Sequence, residues 1–527
     1  MADETLFLSN HQPSTPDKKP LLTMDSMIEQ CIGKFGWAQL DQAVLVSLSW
    51  LFDAQQTFIS VFTDSDPAWH CTDPIKCVSG TSDLCGLPDG SWAWDEVAGH
   101  SSVVSEWGLQ CATPIVRGLP ASSFFVGCLI GGLILARLAD SSLGRRNLLL
   151  LSCLSMGVSS LVTAFSNSIW VYAALRFVCG FWRAAIGTCA LVLATELVGK
   201  RWRGPVGMLG LLGSTVGFLS LPAIAYVNRG RSWRRLYLWT SIPALLYCSL
   251  VYFLVRESPR WLLVRGRKEE AIQTLKSIAP PEQRPRLTSS FFSTVASLDD
   301  YDPLTEAVDH FSAVKLLFMR RWALLRLSIV SVVGFGIGMV YYGMPLGLAN
   351  LSFNLYLGVA FNAFSEVPST LAAMLLITKL NRRHILLVLT AVSTVFSLAC
   401  TLKGEPWERF QMGFELVSFG TGCSALCVLL IYTLELFPTC VRNSAVSLVR
   451  QALVLGGTFS PVLVAAGRAT GGTLSYGVFG AVIGCCGLFT ACLPNTQGGT
   501  LCDTMEEEEL KMRERSSGQI SAPLTLA

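Results

Sequence analysis

Long apolar segments alternate with short polar breaks along almost the whole chain. Twelve of them approach the length of about 20 residues at which a helix crosses a bilayer. They cover residues 42–62, 119–138, 147–166, 169–191, 205–227, 236–255, 324–345, 353–377, 385–402, 411–432, 446–467 and 474–493. The pattern predicts an all-α integral membrane protein with twelve transmembrane helices.

A short motif that occurs twice divides these segments into two sets of six. A glutamate closes the fourth segment and another closes the tenth, and an arginine follows each of them seven residues later. The two pairs are Glu196 with Arg203 and Glu435 with Arg442. Repeated halves in a membrane build a substrate site at their interface, near the bilayer midplane. The repeat therefore predicts two six-helix halves and favours transport of a solute over catalysis.

The same pattern gives the domain organisation. We predict a cytoplasmic tail over 1–41, a first half over 42–255 with an outward loop at 63–118, a cytoplasmic helical linker over 256–323, a second half over 324–493 and a cytoplasmic tail over 494–527. Basic residues concentrate in the short loops after even-numbered segments, which places these loops in the cytoplasm. Four arginines between segments five and six depart from this rule: Arg229, Arg231, Arg234 and Arg235. They either line an outer vestibule or weaken the topology signal.

Composition excludes several other classes of protein. Hydrophobic residues make up 51% of the chain and charged residues 15%, whereas about 25% of a soluble domain is charged. The formal net charge of +3, without basic clusters interleaved with aromatic residues, gives no support for nucleic-acid binding. No glycine-rich phosphate loop is present, so we expect neither ATP nor a cofactor. Five histidines form no cluster, and we expect neither a metal site nor an enzyme.

The outward loop contains four cysteines, Cys71, Cys77, Cys85 and Cys111. In an oxidising compartment four cysteines suggest two disulfides, with three possible pairings. A zinc site is the alternative. The sequon at Asn350, between segments seven and eight, is a glycosylation candidate.

The N-terminal tail contains a candidate sorting signal. Residues 17–22 read Asp-Lys-Lys-Pro-Leu-Leu, an acidic residue followed by two leucines after three intervening positions. The pattern favours the vacuolar membrane, with the plasma membrane as the alternative.

Charged residues inside apolar segments are costly and are therefore functional candidates. The candidates are Asp53, Arg176, Arg183, Glu366, Glu415 and Arg450. A salt bridge between Arg450 and Glu415 is a purely structural alternative for that pair. Asp53, Glu366 and Glu415 are candidate proton carriers, and both uniport and proton exchange stay open.

Three motifs resemble those of one transporter family. Residues 257–267, ESPRWLLVRGR, follow the sixth segment and resemble a signature of the organic cation transporter family of the major facilitator superfamily. Residues 139–146 resemble the superfamily loop between segments two and three, and residues 432–443 resemble the family's tenth-segment ending. Residues 52–58, FDAQQTF, are most similar to the plant organic cation/carnitine transporters. The resemblance implies the major facilitator fold and alternating access.

The resemblance also implies roles for particular residues. Glu366 matches the family's eighth-segment glutamate, which implies a counter-ion for an ammonium group. Tyr341 and Tyr342 match aromatic residues that attract ammonium through cation–π contact, although packing is an alternative role. Val454 stands where cation carriers have aspartate and where anion or carnitine carriers have arginine, and Arg450 lies one helical turn earlier on the same face.

Glu366 with Arg450 suits a zwitterion such as carnitine, whereas Glu366 alone suits an organic cation or a polyamine. Asp53 completes the predicted substrate-binding set. The alternatives are an organic anion or sugar carrier of the same fold and a membrane receptor that does not transport.

Charged residues at the cytoplasmic helix ends are candidates for a gate. Ion pairs at such ends form in one conformation and break in the other, as alternating access requires. The alternative is that they only set topology and cap helices. The predicted gating residues are Asp140, Arg145, Arg146, Glu196, Arg203, Glu435 and Arg442.

Overall fold

The protein is a bundle of twelve long helices in the computed structural model, which describes residues 28–29, 32, 35–73, 84–88, 90–95, 102–139, 143–280, 310–404, 406–469, 472–496 and 502–520. The helices are α1 (Trp37–Phe58), α2 (Pro114–Ala139), α3 (Arg145–Thr163), α4 (Ile169–Glu196), α5 (Arg203–Val227), α6 (Arg234–Leu254), α7 (Arg321–Gly347), α8 (Leu355–Lys379), α9 (Arg382–Ala399), α10 (Trp407–Leu436), α11 (Thr439–Ala469) and α12 (Leu474–Leu488).

The predicted twelve-helix architecture is confirmed. Eleven helices in the described part of the chain are long and apolar enough to cross a membrane. The remaining span is α1, which continues as Ser60–Thr63 and buries several polar side chains in its C-terminal half. α10 and α11 begin at Trp407 and Thr439, earlier than the predicted 411 and 446, because each helix extends over polar turns outside its apolar stretch.

Each half is held together by contacts among its own helices, and two helix pairs join the halves. α2 and α3 pack on α4 in the first half, and α7 packs on α11 in the second. Between the halves, α2 contacts α11 and α5 contacts α8. Small residues allow close approach: a Cβ at Gly127 in α2 would lie 2.1 Å from the carbonyl oxygen of Phe177 in α4. The interface between the halves is therefore formed by α2, α5, α8 and α11, and a substrate site between the halves is expected there.

The segment after α6 anchors the linker to the predicted cytoplasmic end of the first half. Glu257 accepts hydrogen bonds from the backbone N–H groups of Arg146 at 3.1 Å and Ser258 at 3.0 Å. Gly144 has φ of 85°, and a Cβ there would lie 2.4 Å from Glu257 Oε2, so the turn requires glycine. Burial raises the pKa of the Glu257 carboxyl, and the backbone hydrogen bonds oppose this rise. Glu257 thus caps the N-terminus of α3.

Short helices cover the end of the bundle opposite the cysteine loop, the predicted cytoplasmic face. Pro259–Val264, Lys268–Ile278 and His310–Met319 belong to the linker, and Met505–Ile520 lies near the C-terminus. Glu508 pairs with Arg326 at 2.9 Å, and Glu509 accepts from Trp322 Nε1 at 3.0 Å. The C-terminal helix is thereby docked on the start of α7.

The outward loop contains a two-stranded antiparallel sheet that the apolar pattern did not predict. β1 (Trp69–Cys71) pairs with β2 (Trp92–Trp94), and Trp69 lies opposite Trp94. A disulfide joins Cys85 to Cys111. Cys71 is also disulfide-bonded, and Cys77 lies outside the described residues.

Candidate functional site

The two halves meet closely at the end of the bundle that carries the cysteine loop, the predicted outer end. One buried hydrophobic cluster contains residues of both halves, among them Ile59 and Val359. Ser122 Oγ in α2 donates to the carbonyl oxygen of Thr458 in α11 at 2.8 Å. These contacts close the outer end of the interface.

Arg468, near the end of α11, connects the halves at this closed end. Its guanidinium lies 3.3 Å from the Asp66 carboxylate and 3.4 Å from the carbonyl oxygen of Asp64, both in the first half. Its Nε donates to Asn350 Oδ1 at 2.8 Å in the second half. Asp66 also pairs with Arg117 of its own half. We call Arg468 with Asp66 the outer ion pair.

Removal of the outer ion pair should favour the outward-open state. We expect Arg468→Ala to increase the labelling rate of a cysteine placed at Ser122 about fivefold from outside, since a partly exposed pair is worth about 1 kcal/mol. A membrane-impermeant thiol reagent measures this rate against a parent chain without the added cysteine. Arg117→Ala is the matched control, because Arg117 binds Asp66 within one half. Equal labelling in the two variants would contradict a gating role for the cross-half pair.

Glu366 lies in α8 at the boundary between the halves and is 8% exposed. Its carboxyl group accepts hydrogen bonds from Tyr341 in α7 at 2.9 Å and from Thr215 in α5 at 3.0 Å. The Tyr341 ring stacks on Phe419 at 5.9 Å and meets the Phe58 ring edge-on at 6.1 Å. The predicted pair of Glu366 and Tyr341 therefore lies together, inside an aromatic enclosure that suits an ammonium group.

Tyr342 faces the other way, into the first half. Its ring lies 4.8 Å from that of Phe125 in α2 and 5.0 Å from that of Tyr341. A Cβ at Gly457 would come within 2.7 Å of the Tyr342 ring, so glycine leaves room for this side chain. Tyr342 thus connects the Glu366 site to the charged residues of the first half.

Asp53 is fully engaged in an ion pair. Two nitrogens of Arg183 in α4 donate to its two carboxylate oxygens at 2.7 Å and 2.9 Å, and Asp53 is 4% exposed. Arg183 also lies over the Phe124 ring, 6.0 Å from its centroid. Asp53 is therefore neutralised in this state and is not available as a second counter-ion for substrate.

Arg450 in α11 is half-buried near Tyr342 and Arg183. Tyr342 and Arg183 interact with it electrostatically, and the described residues provide its guanidinium with no hydrogen bond or ion pair. Glu415 instead accepts from Asn362 Nδ2 at 2.9 Å. The alternative of a salt bridge between Arg450 and Glu415 is therefore wrong in this structure. Arg450 retains an uncompensated positive charge between the halves.

The predicted gating residues that the structure describes lie at helix ends opposite the cysteine loop, the predicted cytoplasmic ends, but they pair differently from the repeat. Arg145 Nε lies 3.9 Å from Glu196 Oε2, and Arg382 Nη2 lies 3.0 Å from Glu435 Oε1. Glu196 and Arg203 are not paired in this structure, because the 3₁₀ turn Lys200–Trp202 separates the end of α4 from the start of α5.

The second copy behaves alike, with Arg442 Nε donating to the carbonyl oxygen of Phe437 at 3.2 Å. In each half, the glutamate forms its ion pair with an arginine in the first turn of a neighbouring helix of the same half, α3 for Glu196 and α9 for Glu435. Arg146 donates to the carbonyl oxygen of Tyr252, and Asp140 lies outside the described residues.

Asn350 is half-buried and belongs to the outer closure. Its amide nitrogen donates to the carbonyl oxygen of Val464 at 3.3 Å, and its amide oxygen accepts from Arg468. A glycan on this nitrogen would break the contact with Val464. The placement argues against the glycosylation candidate.

Sequence reasoning missed one residue, Thr215, and one contact, that of Arg183 with Asp53, which hold the site together. Thr215 is the first-half partner of Glu366, and Arg183 is the partner of Asp53. Arg183 was visible as a charge in an apolar segment, but its partner 130 positions away was not. A single threonine in an apolar segment gave no comparable signal.

Comparisons with known proteins agree with this architecture. Residues 85–507 match a family model described as sugar (and other) transporter. The chain is 56% identical over 516 residues to organic cation/carnitine transporter 3 of Arabidopsis thaliana, covering 97% of this chain and 98% of that protein. The chain belongs to the organic cation/carnitine transporter family. Organic cation/carnitine transporter 2 of Arabidopsis thaliana is 55% identical over 514 residues, covering 94% of this chain and 97% of that protein.

This organic cation/carnitine transporter family member also matches two more distant proteins, one by sequence and one by structure. Mouse solute carrier family 22 member 3 is 31% identical over 83% of this chain and 77% of that protein. The inward-open xylose transporter XylE from E. coli has a TM-score of 0.63 at 17% identity, covering 90% of this chain and 99% of that one. The major facilitator fold predicted from the sequence is thereby confirmed, and membership of a transporter family agrees with the predicted membrane transport.

Proposed function

We propose that the protein carries a small zwitterion, with an ammonium group and a carboxylate such as those of carnitine, across its membrane. The observation that supports this most directly is that two side chains of opposite charge, which do not contact each other, lie at the interface between the halves. Glu366 lies in an aromatic enclosure, and Arg450 lies beyond Tyr342 without an acidic partner in the described chain. The names of the relatives point to the same class of substrate.

The geometry suggests how binding is linked to the change of state. Glu366 belongs to the second half and accepts from Thr215 of the first. An ammonium group that binds Glu366 competes with this contact across the interface. Substrate binding thereby changes the relative energy of the two conformations, as population shift requires. The proposal contains no catalytic step.

Substrate discrimination tests the proposal. We expect wild type to take up both carnitine and choline, which share an ammonium group, while only carnitine has a carboxylate. Arg450→Ala should raise the KM for carnitine about 30-fold and leave that for choline within about twofold, since a hydrogen bond to a charged group is worth about 2 kcal/mol. Arg450→Lys should retain part of the carnitine affinity.

Uptake of labelled substrates into vesicles measures these constants. An equal loss of both substrates in Arg450→Ala would show a structural role for Arg450. Uptake of choline or a polyamine without carnitine would favour a simple cation carrier, and uptake of organic anions alone would overturn the proposal.

Gating at the cytoplasmic end is also part of the proposal. The pairs Arg145 with Glu196 and Arg382 with Glu435 stay within their own halves in this outer-closed state. We infer that the same groups exchange partners when the cytoplasmic ends approach one another.

We further propose the vacuolar membrane as the location, from the signal at residues 17–22, which lies outside the described residues. Replacement of Leu21 and Leu22 by alanine should move a fluorescent fusion to the plasma membrane. An unchanged location would contradict this assignment.

A further inference from the structure

A cavity lies at the outer end, above the closed interface. Its volume is about 410 Å³, within the range of small-molecule sites. It is lined by the end of the first span, the loop between α5 and α6, the cysteine loop and the start of α8. The cavity is separate from the Glu366 site and includes Asp66 of the outer ion pair.

Among the described residues, the basic side chains of this cavity without an acidic partner are two arginines. Arg229 and Arg231 line it, and the described residues provide neither with an acidic partner. Arg229 lies over the Tyr226 ring at 4.6 Å. Of the two lining carboxylates, Asp66 is paired with Arg468 at 3.3 Å, and Asp95 lies within hydrogen-bond distance of His70 Nδ1 at 2.9 Å. A carboxylate is therefore the group that these arginines would bind.

One wall of the cavity is aromatic and spans both halves. Phe62, at the end of the first span, and Tyr356 of α8 line it, and their rings stack at 5.6 Å. Tyr226, which is not a lining residue, meets Tyr356 edge-on at 5.6 Å. Asp66 lines the same cavity, and although it is paired its side chain is 39% exposed, so that an incoming ammonium group can reach it, unlike the buried Asp53. An ammonium group would therefore find aromatic faces and a carboxylate in one place.

We propose that this cavity is an outer recognition site for the zwitterion, with the substrate carboxylate on Arg229 and Arg231 and its ammonium group against Tyr356 and Asp66. The inference rests on the proposed function. An ammonium group at Asp66 competes with Arg468, so occupation of the cavity weakens the outer ion pair. The site thus couples the arrival of substrate to opening of the outer end.

Protection from chemical labelling tests this inference in the full chain. A cysteine is placed at Ser232, which lines the cavity, in a chain that also carries Glu366→Gln and Arg450→Ala. Carnitine should slow its reaction with a membrane-impermeant thiol reagent about fivefold at a concentration about four times Kd, since protection follows 1 + [L]/Kd. Choline should slow it less than about twofold at the same concentration, because it lacks the carboxylate.

Matched variants assign the effect to the two arginines. Arg229→Ala with Arg231→Ala should abolish protection, whereas Arg235→Ala should retain it, because Arg235 belongs to the same arginine cluster but does not line the cavity. A cysteine at Ser65 provides a second position if the first variant does not fold. Lack of protection at both positions, or protection that survives the double arginine variant, overturns the inference.

The outcome is separable from that of the proposed function. Carnitine uptake by wild type without protection of the outer cavity would overturn the outer site alone. Protection by carnitine in a protein that does not transport it would overturn the proposed function and leave the outer site standing.

Discussion

Glu366→Gln should reduce kcat/KM for every ammonium-bearing substrate about 100-fold, the largest transport effect that we expect from a single substitution. The glutamine oxygen can still accept from Tyr341, and its amide nitrogen can donate to Thr215 Oγ1, whose own proton has the Leu211 carbonyl oxygen as an acceptor. The side-chain volume is retained. The negative charge is lost, and a charged contact in a desolvated site is worth about 2–5 kcal/mol. Initial uptake rates over a range of substrate concentrations measure the loss.

Glu415→Gln is the matched control for this substitution. Glu415 is also a buried carboxyl group in the second half, but its described hydrogen-bond donor is Asn362 of the same half. We expect its transport to stay within about threefold of wild type, since no charge at the interface changes. A similar loss in both variants would mean that any buried carboxylate of this half is required, and that Glu366 has no special role.

Asp53→Asn should cause the largest loss of stability. The substitution leaves Arg183 without the carboxylate that now receives two of its hydrogen bonds. Removal of one partner of a buried ion pair costs about 3–5 kcal/mol, because the remaining charge is uncompensated. Thermal unfolding of the purified protein, followed by loss of its monodisperse peak, measures the change.

A double variant distinguishes the loss of the ion pair from a change in side-chain packing. Asp53→Asn combined with Arg183→Gln removes both charges and should recover most of the lost stability, as a coupled pair does in a double-mutant cycle. If Asp53→Asn unfolds at the same temperature as wild type, or if the second substitution adds a further loss, the pair does not stabilise this state.

The architecture could be predicted because membrane-spanning helices have a strong local signal. Each span needs a long apolar segment, and the polar breaks show where it ends. α1 was found in this way even though it buries Asp53 and several amide and hydroxyl side chains. The hairpin of β1 and β2 was not, because strands of three residues leave too short a pattern.

The site was only partly predictable, because its partners come from distant helices. The cost of a charge in an apolar segment identified Glu366 and Arg450, and the family resemblance associated Tyr341 with the substrate. Thr215 reaches Glu366 only through the packing of α5 on α8. The spacing of Glu196 and Arg203 does not give the contact in this structure, since it crosses a helix end where helical periodicity no longer applies.

Counterflow of labelled carnitine tests the central claim most directly. Purified full-length protein is placed in liposomes loaded with unlabelled carnitine, and entry of the label is followed for wild type, Glu366→Gln and Glu415→Gln. We predict rapid transient accumulation with wild type and Glu415→Gln, and almost none with Glu366→Gln. Accumulation by Glu366→Gln at the wild-type rate, or none by a correctly folded wild type, would contradict a zwitterion carrier that uses Glu366 as its counter-ion.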